Sequence, residues 1–305
     1  MKIITILGKD IILTFILVVC FIISAYISGM YSPPSESTAA AETDSAALVA
    51  LLISSFMEVL ILSYIIVRSR WAGWKLIIAV FMAFYGSMTF IPQIESLIYL
   101  PGKLPPDLIP KLYLMGVITT LMFSPVAVLI LGRMKNGMYA ANEPSRSLFT
   151  KNEWIVKLSM LVIVYLVLYY SFGYFVAWKN PAVREYYGGS DPGNFFAQLA
   201  SIWNATPWMY ALQGARALLW ILLVLPMVRS LKGGSWEIAF VTAAFFAVWS
   251  LQLLAPNPYM PQEVANIHMI ETLSSNFLFG WILGWLLSRK HQSVRDLFRS
   301  DKPAP

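Results

Sequence analysis

The sequence predicts an all-α polytopic membrane bundle, eight transmembrane helices arranged as two parallel four-helix repeats. Three observations carry that expectation: the composition, the length of the apolar runs and a short internal duplication. The chain is 58% hydrophobic and 12% charged, whereas ordinary soluble domains are about 25% charged. Its apolar runs reach the roughly 20 residues that a helix needs to cross a bilayer. Eight are read, at 11–30, 46–67, 75–98, 109–132, 155–177, 208–228, 236–255 and 266–288; the fourth, sixth and eighth begin in polar sequence.

The first run exceeds the 7–15 residue apolar core typical of a signal peptide. It is read as an uncleaved span, although the small, polar "YSPPSESTAAAETDSAA" follows it. The chain's one cysteine, Cys20, lies in this run, which excludes an intramolecular disulfide and a multi-cysteine metal site. "LVVC" departs from a lipoprotein cleavage site in its valine before the cysteine, so Cys20 reads as a packing residue.

The net charge of +6 belongs to topology, not to nucleic acid. Loops on the cytoplasmic side retain Lys and Arg. With the N-terminus inside, seventeen of the 22 basic residues fall on that side, including Arg68, Arg70, Arg133, Lys135, Lys151, Lys157, Arg229, Lys232 and Arg289. Lys103, Lys111, Lys179 and Arg184 fall outside, and Arg216 lies within a span. Both termini are expected in the cytoplasm, and the membrane is read as a bacterial inner (plasma) membrane.

The duplication is seen by aligning "VRSRWAGWKLIIAVFMAF", from Val67, with "VRSLKGGSWEIAFVTAAF", from Val228. Eight of eighteen positions are identical without a gap, among them Val-Arg-Ser and a glycine in the turn. Spans one to four then correspond to spans five to eight, related by an axis near the membrane normal. Residues 1–135 form the first repeat, 136–154 a cytoplasmic connector, and 155–305 the second repeat with a basic inner tail.

Ionisable residues inside spans are costly and face a partner or a cavity. Glu58 lies ten residues before Arg68, and Arg216 thirteen before Arg229. Helical rise places them about 5 Å apart in depth, which makes them an expected ion pair near the midplane. Gln213 lies one turn outward of Arg216. On the eighth span His268, Glu271, Thr272, Ser275 and Asn276 share one helical face. Gln93 and Glu95 reach a similar outer level on the third span, where Pro92 should loosen the helix. These ten residues, Glu58 to Asn276, form the expected ligand-binding pocket, open to the exterior. The competing expectation is that such groups only bond helix to helix.

His268 and Glu271 are spaced i, i+3, but a metal would have to recruit Glu95 or Glu263, so no metal and no cofactor are expected. The chain lacks a nucleophile elbow, an H-E-x-x-H and a Walker sequence. Glu271 would be the general base if the pocket were catalytic. The segments Trp178–Trp208 and Ala255–His268 are rich in aromatics and proline and read as an interfacial cap, or as a lid hinged at Gly188 and Gly189. Asn204 begins a glycosylation sequon. Three classes of function follow, in order. The first is transport or binding of a small solute or lipid-like ligand. The second is a membrane-embedded enzyme using Glu271 and His268, and the third a non-catalytic sensor or assembly partner. The partners expected are the bilayer and that ligand, not nucleic acid.

Overall fold

A computed structural model of the protein describes residues 2–30, 38–100, 102–135 and 149–291. Most of the connector (136–148) and the tail beyond residue 291 lie outside the described residues. The described chain is helical, and its extended pairings are two isolated bridges, Ser69 with Leu231 and Asn257 with Met260. Eight helical stretches are long and apolar enough to cross a membrane: Leu7–Ile27, Ser45–Arg68, Gly73–Tyr99, Leu108–Ile130, Lys151–Trp178, Trp208–Ser230, Ser235–Leu254 and Gln262–Ser288. The protein is an all-α multipass membrane protein, as its sequence predicts.

The first two spans lie in α1 (Lys2–Ile27) and α2 (Thr38–Arg68). The third is α3 (Gly73–Tyr85), a π-turn (Gly86–Phe90) and α4 (Ile91–Tyr99). Pro92 explains the break, because a proline ring collides with the carbonyl four residues back. That residue is Met88, inside the π-turn. The fourth span is α5 (Leu108–Ile130). The fifth is α6 (Lys151–Phe172), closing in a second π-turn, Gly173–Trp178. Two short helices follow, α7 (Pro181–Tyr187) and α8 (Phe195–Ala205). The sixth span is α9 (Trp208–Ser230), and the seventh is α10 (Ser235–Val248) with a 3-10 turn, Trp249–Leu254. The eighth is α11 (Gln262–Ser288).

Neighbours are set by packing. α1 lies along α2 and α5, α3 along α5 and α9, α6 along α9 and α11, and α2 along α10 and its 3-10 turn. The closest approach is α10 on α11, made by a Gly280-x-x-x-Gly284 spacing that lets two backbones meet. A Cβ on Gly280 would sit 2.7 Å from the Thr242 carbonyl, and one on Gly284 2.9 Å from the Ala239 Cα.

The two ends of the bundle differ. At one, the turns after α2 and α9 pair: Arg70 N donates to Ser230 O (2.6 Å) and Lys232 N to Arg68 O (2.9 Å). Arg133 donates to the carbonyls of Ser69 and Trp71, and Arg68 pairs with Glu237 at 2.6 Å. Lys157 pairs with Glu153 at 3.0 Å. At the other end α7 covers the bundle. Val183 packs with Ala177 and Val264, Tyr186 donates to Tyr259 O at 2.8 Å, and Lys103 donates to Tyr186 O. α8 buries no residue and leaves Phe196 and Trp203 exposed, as suits a helix lying at a membrane interface.

Candidate functional site

Polar side chains gather at the α7 end, between the third, fifth, sixth and eighth spans. Arg216 of α9 is 4% exposed and forms an ion pair with Glu95 of α4, whose side chain is 34% exposed. The same guanidinium nitrogen donates to Gln213 Oε1 at 2.7 Å, while Nε has no hydrogen-bond partner. Tyr99 of α4 and Tyr169 of α6 share a hydroxyl bond of 2.7 Å, and the Arg216 guanidinium lies 6.0 Å from the Tyr169 ring centre. The site therefore has a buried positive centre, a partly solvated carboxylate and an aromatic wall.

The second half of the site is a relay. His268 Nδ1 is 2.7 Å from Glu271 Oε2, and His268 Nε2 is 3.1 Å from the Tyr187 hydroxyl. In the tautomer that donates Nδ1–H to the carboxylate, Nε2 accepts from the Tyr187 hydroxyl. Burial pushes the Tyr187 phenol well above its ordinary range, and the nearby Glu95 charge adds to that, so its proton stays available for donation. Tyr99 and Tyr187 meet edge to face at 6.5 Å and join the two halves. Gly173, in the second π-turn, leaves room for Glu271: a Cβ there would lie 3.6 Å from Oε1.

Of the ten residues singled out from the sequence, Glu95, Gln213, Arg216, His268 and Glu271 fall within this network. Gln93 Oε1 is a buried acceptor with no hydrogen-bond partner. Thr272 donates to His268 O at 2.6 Å and Ser275 to Thr272 O at 3.4 Å, so both satisfy their own helix. Asn276 is half-buried on the same span. The expected pair of Glu58 with Arg216 is overturned. Glu58 accepts instead from Gln252 at 3.1 Å, because α2 packs on the seventh span while α9 packs on the third.

Sequence reasoning missed the tyrosines 99, 169 and 187. The spacing of Tyr165 and Tyr169, four apart in "YLVLYY", is the signal that marks one helical face. The segment named as the alternative lid hinge forms a tight corner. Gly188 takes the left-handed conformation (φ 72°) that closes α7, and a Cβ on Gly189 would strike the Trp178 ring at 2.4 Å. Both ring nitrogens of His268 are engaged, and among the described residues no three His, Cys, Asp or Glu side chains gather as metal ligands. The fold and site define a multipass membrane protein with a polar, tyrosine-lined site at one end. No family model, curated protein or solved structure matches the chain.

Proposed function

We propose that this protein binds and moves a small solute or lipid-like ligand through the site at its α7 end. The observation that carries the reading is the Arg216–Glu95 pair, one charge buried and the other a third exposed. The exposed arm lowers the desolvation cost of the pair and also leaves this carboxylate within reach of a ligand. The broken helices of the third and seventh spans support it, since transporters build sites at such discontinuities. We also infer the four-span duplication, which would make the packing of α2 on the seventh span the counterpart of that of α9 on the third. The ligand reading is tested by native mass spectrometry of purified wild type, Arg216→Gln and Glu271→Gln. Wild type should retain a small molecule or lipid that Arg216→Gln loses. Glu271→Gln should retain less while melting within a few degrees of wild type. An identical complement in all three proteins sinks the reading.

The Tyr187–His268–Glu271 relay favours a second reading, a membrane-embedded enzyme in which His268 moves a proton. A chemically altered ligand after incubation would mark it. In either case we place the α7 end outside a bacterial inner membrane, with both termini cytoplasmic. A cysteine at exposed Ser190 should react with an impermeant maleimide in intact cells, and one at exposed Lys135 only after lysis. The opposite pattern would invert the orientation.

A further inference from the structure

Glu58 stands apart from the outer site and raises a separate question. Its side chain is fully buried in α2, and none of the ion pairs among the described residues includes it. Oε1 accepts from Gln252, and Oε2 has no hydrogen-bond partner. A carboxylate left so in a membrane interior is strongly unfavourable, so its charge needs a counter-charge that the described residues do not supply.

The elements that carry Glu58 and Gln252 each hold a further polar group without a partner. Hydroxyls on membrane helices commonly donate back to their own helix, and Ser54, Thr120, Ser230 and Thr242 do so. Ser55 and Ser250 are buried yet have no hydrogen-bond partner, as also holds for Ser63, Ser87 and Ser124 elsewhere in the bundle. Ser55 lies three residues before Glu58, on the same helical face. Ser250 belongs to the 3-10 turn that carries Gln252, where the seventh span has left α geometry. Oxygen ligands and carbonyls freed by a broken helix are the parts from which membrane proteins assemble coupling-ion sites.

We propose that Glu58, beside the Trp249–Leu254 turn, is a buried site for a single positive charge, either a proton or a sodium ion. One carboxylate balances one such charge. A divalent ion would leave an excess in an apolar core. The site rests on burial, the orphan oxygen and the broken helix, and does not depend on what the outer site binds.

The test is thermal unfolding of the purified full chain, wild type against Glu58→Gln, which keeps the shape and the Gln252 contact. One arm varies pH in sodium-free buffer; the other exchanges choline for sodium at constant ionic strength. A proton held only in the folded state makes wild type lose stability as pH rises, by up to about tenfold in the unfolding constant per pH unit beyond any change in Glu58→Gln. A sodium ion instead stabilises wild type alone, by about a hundredfold in that constant at a hundred times its Kd. If both proteins respond alike to pH and to sodium, the site does not exist. Should Glu58→Gln fail to fold, the infrared spectrum of wild type decides. A carboxylic-acid band persisting at alkaline pH, or a carboxylate band that shifts with sodium, supports the site, and the absence of both overturns it.

Discussion

Glu95→Gln is expected to destabilise the protein by about 3 kcal/mol, and more than Arg216→Gln does, although the two side chains form one ion pair. Removing one partner of a buried pair typically costs about 3–5 kcal/mol, because the other charge is stranded. Here the two partners are not equally buried. Arg216 is 4% exposed, and without Glu95 its guanidinium keeps only the Gln213 bond of 2.7 Å. Glu95 is 34% exposed, so water takes over its charge when Arg216 is lost. Arg216→Gln should therefore cost nearer 1 kcal/mol, in the range of a partly exposed pair. The double replacement should fall close to Arg216→Gln alone, a coupling of about 3 kcal/mol in a double-mutant cycle. Denaturant unfolding in detergent reads it. Glu58→Gln combined with Arg216→Gln should add without coupling, because Glu58 bonds to Gln252 on another span. Coupling in that second cycle, or none in the first, would restore the pairing that helical rise alone implies.

That pairing shows where the sequence is legible and where it is not. The eight spans could be read because crossing a bilayer forces a long apolar run, a strictly local signal. What depth cannot say is which spans are neighbours, and Glu58 needed the packing of α2 on the seventh span to find Gln252. Side-chain direction was the second missing term. Side chains lean toward the N-terminus of their own helix. α9 starts at the α7 end and α4 finishes there, so Arg216 leans toward that end and Glu95 away from it. They meet from different depths. The relay at His268 was half legible: the i, i+3 spacing gave Glu271, but Tyr187 arrives from a seven-residue helix that no periodicity announces.

Gly280→Ala and Gly284→Ala should each destabilise the bundle, by about 1–3 kcal/mol as overpacked sites do, although alanine is the better helix former. A Cβ at Gly280 would lie 2.7 Å from the Thr242 carbonyl and 2.9 Å from the Ala243 Cα. A Cβ at Gly284 would lie 2.8 Å from the Thr242 hydroxyl. These are mostly backbone neighbours, which cannot rotate away, so α10 and α11 must separate and lose contact along their length. Gly214 in α9 supplies the control. A Cβ there meets only Val162 Cγ1 at 3.6 Å, an ordinary contact. Gly214→Ala should then show the helix preference alone, a gain of about 1 kcal/mol. The three substitutions are the same chemical change, so their opposite signs report packing and nothing else. Thermal unfolding of the three purified variants decides it. If Gly280→Ala and Gly284→Ala melt above wild type as Gly214→Ala should, the two helices do not cross at these glycines.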